Sequence, residues 1–287
     1  ASANGHEACL RVVLEASEKA GVTEEALKAT DDNGRTALIL ASREGHEACL
    51  GVLLEAAEKA GVTEEALKAT TWEDNTALIL ASARGHEACL RVLLEAAEKV
   101  GVTEEALKAT NSSGETALIR ASANGHEACL RVLLEAAEKA GVTEEALKAT
   151  DKDGWTALHR ASSTGHEGCV RALLEVCEAA GLTEQALKAT TDRGSTALIV
   201  ASANGREGCM KAFISAAESA NCAQDVLQAV NKGGGTALHR AAYFGKTEAV
   251  KILLAAGADR SAKDKGGNTP LQIAEAEGER EAAALLR

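Results

Sequence analysis

Six times in this chain a glycine is followed by a histidine or arginine, a glutamate and, two residues on, a cysteine. The stretch reads GHEAC at 5–9, 45–49, 85–89 and 125–129, GHEGC at 165–169 and GREGC at 205–209. A histidine and a cysteine three residues apart share one face of a helix, so the first chemistry to weigh is zinc binding. Zinc needs three or four protein ligands, with sulfur about 2.3 Å from the metal. One copy supplies two, and the equivalent pair one layer away lies roughly 10 Å off if the copies stack as helices. The same spacing bars a disulfide between successive cysteines, whose Cα atoms must come within about 7 Å. The sixth copy keeps Cys209 but has Arg206 where the histidine should be. The motif is therefore read as a helix start followed by a buried cysteine, with no metal and no cofactor.

Catalytic groupings are equally thin. The serines fall in "AS" pairs at repeat positions, where their role is helix packing. His159 and His239 stand where the other copies carry isoleucine, at 39, 79, 119 and 199. KGGGT at 232–236 is a turn signature without the lysine placement of a phosphate loop. The expectation is that the protein is not an enzyme.

The elements that carry these residues follow from composition and period. Hydrophobic residues make up 46% of the 287 but aromatics only 2%, which suits closely packed alanine- and leucine-rich helices. Of the eight cysteines, all but Cys177 and Cys222 recur every 40 residues, so they mark a repeat position rather than a disulfide framework and suit a reduced, intracellular and cytoplasmic setting. No run approaches the roughly 20 apolar residues of a membrane span, and no secretory signal is seen. ASANGHEACLRV at 1–12 repeats at 121–132, so the chain is expected to be a fragment that starts mid-pattern. The net charge of −12 lies entirely in the six stretches running from GHE through EEALKA or their equivalents. Acidity built into the constant frame argues against nucleic acid as a partner.

Residues 31–70, 71–110, 111–150, 151–190 and 191–230 align without gaps, after a partial copy at 1–30. In each, the threonine of TAL predicts an N-cap and Gly45, Gly85 or Gly125 the end of a first helix. The spacing predicts a second helix over about 86–100. Cys89, Leu90, Leu93, Leu94, Ala96 and Ala97 make its apolar stripe, and Arg91 lies four residues from both Glu87 and Glu95. VTEEALKA predicts a short third helix capped by Thr103, with Glu104 and Glu105 at its positive end, Lys108 at its negative end, and Val102 and Leu107 buried. None of these elements can bury its apolar face alone, so the units must stack.

GGTALHRAAYFGKTEAVKILLAAGADRSAKDKGGNTPLQIAEAEG at 234–278 resembles the ankyrin repeat, in its TALHRAA and TPL segments, its V-x-x-L-L and its GAD. From Asn231 to Asp264 the spacing is the 33 residues of that family. TALHRAS with GHE and VRALLE at 156–175 is similar, so the resemblance covers the chain. It implies an all-α, ankyrin-type helical solenoid in which each 40-residue repeat holds two antiparallel helices plus a short third. The array is expected to be one domain over 1–287, with an ordinary repeat at 231–263 and a capping repeat at 264–287. The seven extra residues of the long repeats are assigned as about four in the second helix and three in the loop. The usual hairpin is not expected beside the third helix, and the usual proline is alanine except at Pro270. HEAT-like helical arrays are the competing fold, but they do not account for GADRSAKDKGGNTPL. In the family, the histidine of TALH is structural.

The resemblance also implies where function lies, because the positions that differ between copies map to loop tips and the concave face. In the turns these are Arg35, Trp72, Glu73, Lys152, Trp155 and Arg193. Before the "AS" pair they are Leu40, Leu80, Arg120, Arg160 and Arg240. At the end of the first helix they are Arg43, Arg84, Asn124, Asn204, Tyr243 and Phe244. Tryptophan and arginine are enriched among interface hot spots, and the arginines suit an acidic segment. The expected function is a non-enzymatic, monomeric scaffold binding a protein or peptide, with no nucleic acid and no membrane. The alternatives are an engineered or recently duplicated array acting as a spacer, or the recognition arm of a larger protein.

Overall fold

The structure, a computed structural model, describes all of residues 1–287. Twenty-one α-helices follow a short 3-10 turn at Ser2–Asn4, and no strand is formed. The chain forms two compact units, Ala1–Asp151 and Lys152–Arg287.

In the first unit the first helices of the repeats are α3 (Ala37–Glu44), α6 (Ala77–Arg84) and α9 (Ala117–Asn124). The second helices are α1 (Glu7–Ala20), α4 (Glu47–Ala60), α7 (Glu87–Val100) and α10 (Glu127–Lys139). The short third helices are α2 (Thr23–Lys28), α5 (Thr63–Lys68), α8 (Thr103–Lys108) and α11 (Thr143–Lys148). First helices pack on first helices and second on second, while α2, α5 and α8 each lodge against the second helix of the following repeat. The core between the layers is leucine: Leu50, Leu53, Leu90, Leu93, Leu130 and Leu133 are at most 1% exposed, as are Cys49, Cys89 and Cys129. Each such leucine contributes about 1.5–3 kcal/mol of burial.

The second unit repeats the plan. Its first helices are α12 (Ala157–Thr164), α15 (Ala197–Ala203), α18 (Ala237–Tyr243) and α20 (Pro270–Glu277). Its second helices are α13 (Glu167–Ala179), α16 (Glu207–Ser219), α19 (Thr247–Ala255) and α21 (Arg280–Leu286), with α14 (Thr183–Lys188) and α17 (Ala223–Gln228) as short third helices. Phe213, fully buried on α16, takes the place of the core leucine.

Local chemistry explains these boundaries. Thr36, Thr76 and Thr116 cap the first helices, each Oγ1 accepting from the N–H of Ile39, Ile79 or Ile119 at 3.2–3.3 Å. The long second helices have 13 or 14 residues and α19 has 9, so the extension is about one extra turn. One expected cap is corrected: Thr103 is the first residue of α8, and Val102 is the N-cap with no side-chain bond. Val102 N–H is already tied to Ala97 O at the end of α7, which moves the helix start one residue back. Leu107 is buried and Val102 only half-buried. The hairpin survives as isolated antiparallel bridges, Thr30 with Thr36 and Thr70 with Thr76.

His159 and His239 are fully buried cap residues. In each, Nδ1 accepts from the N–H of Thr156 or Thr236, so Nε2 carries the proton and donates to Ser195 O or Asn268 O at 3.1 Å. Burial pushes the His239 pKa below its usual 6.5, against the opposing pull of Asn268 O, Asp264 and Asp259. The folded state thus binds fewer protons than the unfolded chain. The His239 contribution is complete above about pH 6.5 and is lost as pH falls below it. In the last repeat Gln272 holds the same cap, its Oε1 accepting from Thr269 N–H at 2.9 Å. His239→Gln should therefore keep the cap and flatten the loss of stability between about pH 7 and pH 5. Urea melts across that range check this, and an unchanged slope would rule it out.

Candidate functional site

The recurring GHEAC segment is built for stacking. Its glycine ends the first helix in the left-handed region and its histidine is the N-cap of the second. His46 Nε2–H donates to Ala3 O, His86 to Arg43 O and His126 to Ala83 O, at 3.0–3.1 Å. Each bond reaches back 43 residues to the end of the preceding first helix. Arg206 does the same work in its copy, Nε–H donating to Ser163 O at 3.1 Å. The cysteine three residues on faces the core. Burial raises the Cys89, Cys129 and Cys209 pKa to about 11, leaving protonated, unreactive thiols. The two side chains read as a ligand pair thus point to different tasks.

A second tie joins the turn tips. Trp72 N–H donates to Asn33 O and Ser112 N–H to Glu73 O in the first unit. In the second, Asp192, Lys232 and Lys265 N–H donate to Asp153, Arg193 and Gly233 O. The first residue of each turn fixes its shape. Asp31 Oδ1 accepts from Asn33 and Arg35 N–H, and Asn111 and Asn231 repeat the pattern.

On this frame the variable residues of the first unit differ in what they touch. Arg35 is committed to its own turn by an ion pair with Asp31 at 2.6 Å. That hydrogen-bonded pair, with the backbone N–H donors, lowers the Asp31 pKa to about 2. Arg43 pairs with Glu44 at 2.7 Å, and Asn124 caps α9 by donating to Arg120 O. Leu40 and Leu80 are half-buried on α3 and α6, and Arg84 and Glu73 are exposed. Arg120 is positioned: Nη1 donates to Glu115 Oε2 at 3.2 Å, and Asn111 links that carboxylate to Asn75. Trp72 is 77% exposed, yet a Cβ on Gly34 would meet its indole Cδ1 at 2.6 Å. It therefore packs on the neighbouring turn and still offers most of its surface. In the same turn Asp74 holds φ 59°, where Gly34 has 73°.

In the second unit Lys152 and Arg193 are exposed on turn tips, and Asn204 caps α15 by donating to Val200 O. Trp155 is half-buried, edge-on to His159 at 6.2 Å, with the Arg160 guanidinium 4.9 Å from its ring. Arg240 lies 5.4 Å from the Tyr243 ring and 4.7 Å from Phe244, and those two rings meet edge-on at 4.9 Å. The sites expected from sequence are thus unequal. Arg35, Arg43, Asn124 and Asn204 serve local bonds, while Trp72, the Trp155–Arg160 stack and the Arg240 cluster present surface.

The clefts lie elsewhere. Between successive second helices an open groove recurs, one of about 340 Å³ lined by Arg11, Leu14, Glu15, Val52, Glu55 and Lys59 among others. Its counterparts repeat the same frame positions, including Leu94, Glu95 and Val132. They follow from the stacking of similar frames, with changes such as Gly51 at the Arg11 position and Ser215 and Ser219 at the Glu55 and Lys59 positions. No helix is long and apolar enough to cross a membrane.

Comparison with known proteins agrees with this architecture. The family model for ankyrin repeats in three copies matches residues 53–146, 140–225 and 213–287, and that for the single ankyrin repeat matches 33–63. The chain is similar to the crystal structure of the ankyrin repeat domain of Bcl-3, a unique member of the IkappaB protein family. That match has 26% identity and a TM-score of 0.69, covering 89% of this chain and 100% of that one. The ankyrin repeat protein EF0377 shares the fold at 20% identity and TM-score 0.58, over 73% of this chain and 95% of its own. No curated protein sequence matches. With helix pairs joined by capped turns throughout and family matches from residue 33 to 287, the chain belongs to the ankyrin repeat family.

Proposed function

We propose that the protein is a non-enzymatic interaction scaffold that binds a protein or peptide through its first helices and turn tips. Ankyrin repeats are generally protein–protein interaction modules. One observation carries the reading further. The constant residues are committed to inter-repeat bonds and core, while the presented aromatic and arginine side chains sit where the copies differ. Large exposed aromatics at such positions are the groups that dominate binding energy at interfaces. The thiols form no disulfides and all but Cys9 are buried, which suits the reducing interior of a cell.

Trp155→Ala with Arg160→Ala tests the reading. The expected result is a loss of partner affinity of about tenfold or more, with Tm changed by no more than about 4 °C. Titration of the purified variants and thermal melts measure both. A large fall in Tm would assign the pair to structure instead.

A further inference from the structure

Within the interaction reading, on which this step rests, we propose that Arg240, Tyr243 and Phe244 anchor a partner segment bearing a carboxylate beside an apolar side chain. In two repeats the last residue of the turn meets the residue five positions later on the first helix. In the third repeat these are Glu115 and Arg120, and the buried carboxylate holds the guanidinium at 3.2 Å. In the fourth they are Trp155 and Arg160, stacked at 4.9 Å. In the repeat of α18 they are Gly235 and Arg240. The carboxylate that clamps Arg120 thus has no counterpart for Arg240, whose contacts are with rings rather than acids.

The guanidinium carbon lies over both rings, which, unlike a carboxylate, do not occupy its N–H donors in an ion pair. An arginine held this way is pre-organised for a planar carboxylate. Glu115 shows within the same chain which group satisfies an arginine at this position. The second half of the anchor is apolar. Tyr243 and Phe244 are each 42% exposed. The matching residues of the other first helices in the unit are small or polar: Ser163 and Thr164, Ala203 and Asn204, Ala276 and Glu277. The pair therefore stands above its neighbours beside the cation. The partner segment supplies Asp or Glu to Arg240 and lays an aliphatic or aromatic side chain on the two rings.

The test uses the full chain as bait for a displayed library of random dodecapeptides, followed by fluorescence polarisation with the enriched peptides. Three variants separate the contributions. Arg240→Ala removes the cation, Phe244→Ala removes a ring, and Gly235→Glu installs the intramolecular carboxylate found at Glu115. A Cβ at Gly235 would meet Asn231 and His239 only at 3.5–3.6 Å, so the last change fits. The expected result is a shared Asp or Glu next to an apolar residue. Affinity should fall about tenfold or more in Arg240→Ala and Gly235→Glu, with Tm within a few degrees of the parent. If Gly235→Glu fails to fold, Arg240→Ala decides. Enriched peptides without an acid, or peptides that bind Arg240→Ala as tightly as the parent, overturn this inference. The scaffold reading then stands if those peptides are lost by Trp155→Ala with Arg160→Ala. No enrichment, or binding indifferent to every variant, overturns both.

Discussion

Gly85→Val should destabilise the protein by about 3 kcal/mol or more, through two separable effects. Gly85 ends α6 at φ 78°, a conformation that costs a residue with a Cβ roughly 1–2 kcal/mol, and more when the side chain is β-branched. The second effect is contact. A Cβ at Gly85 would lie 2.6 Å from His126 Nδ1, on the ring whose Nε2–H is bonded to Ala83 O. The ring must move, and the inter-repeat bond, worth about 1 kcal/mol, goes with it. A double-mutant cycle isolates that share. In a His126→Ala background the cost of Gly85→Val should drop by about 1 kcal/mol, leaving the backbone penalty. Chemical denaturation of the four proteins gives the coupling, and strict additivity would mean that histidine and glycine act independently.

Leu133→Ala should cost about 2–5 kcal/mol. Leu133 is 1% exposed on α10, which packs on α7 and α9, so truncation loses the transfer energy of the side chain and leaves a cavity between layers. Repeat arrays gain stability from neighbour interfaces, so the loss should extend to adjacent repeats rather than stay at the site. Urea melts followed by circular dichroism measure the total, and hydrogen exchange at amides of α7 and α9 measures the spread. A cost under 1 kcal/mol would show that the layers close over the gap.

The helices were legible because their signals are local. Threonine caps, glycine stops and an alanine–leucine stripe act within a few residues, and the structure places each first and second helix where they indicate. The third helix was legible, but its cap was not. Whether Thr103 or Val102 begins it depends on the bond from Val102 N–H to Ala97 O, which belongs to the end of the preceding helix. Ligand counting argued against zinc, yet the task of the histidine stayed hidden. Its acceptor is a main-chain carbonyl 43 residues earlier, and no side-chain pattern records a carbonyl. The one available signal was Arg206, a donor standing in for a donor.

Variation between copies located the presented face but could not sort its members. Arg35 and Trp72 both vary. One closes an ion pair within its turn, whereas the other keeps 77% of its surface open. Asn124 and Asn204 vary as well, and both cap helix ends. A turn residue that changes with its local partner leaves the same trace in sequence as one that changes with a ligand. Only the geometry separates Asp31–Arg35 from Gly235–Arg240.

The central claim is that a constant frame holds the repeats together while the first helices and turns are left to bind. The most direct measurement is Tm and partner affinity taken side by side on Gly85→Val and on Trp155→Ala with Arg160→Ala. The account predicts a clean separation. The frame variant should melt well below the parent, and the paired variant should melt near it while losing about tenfold or more in affinity. A paired variant that melts as low as Gly85→Val, or that binds as the parent does, would contradict it.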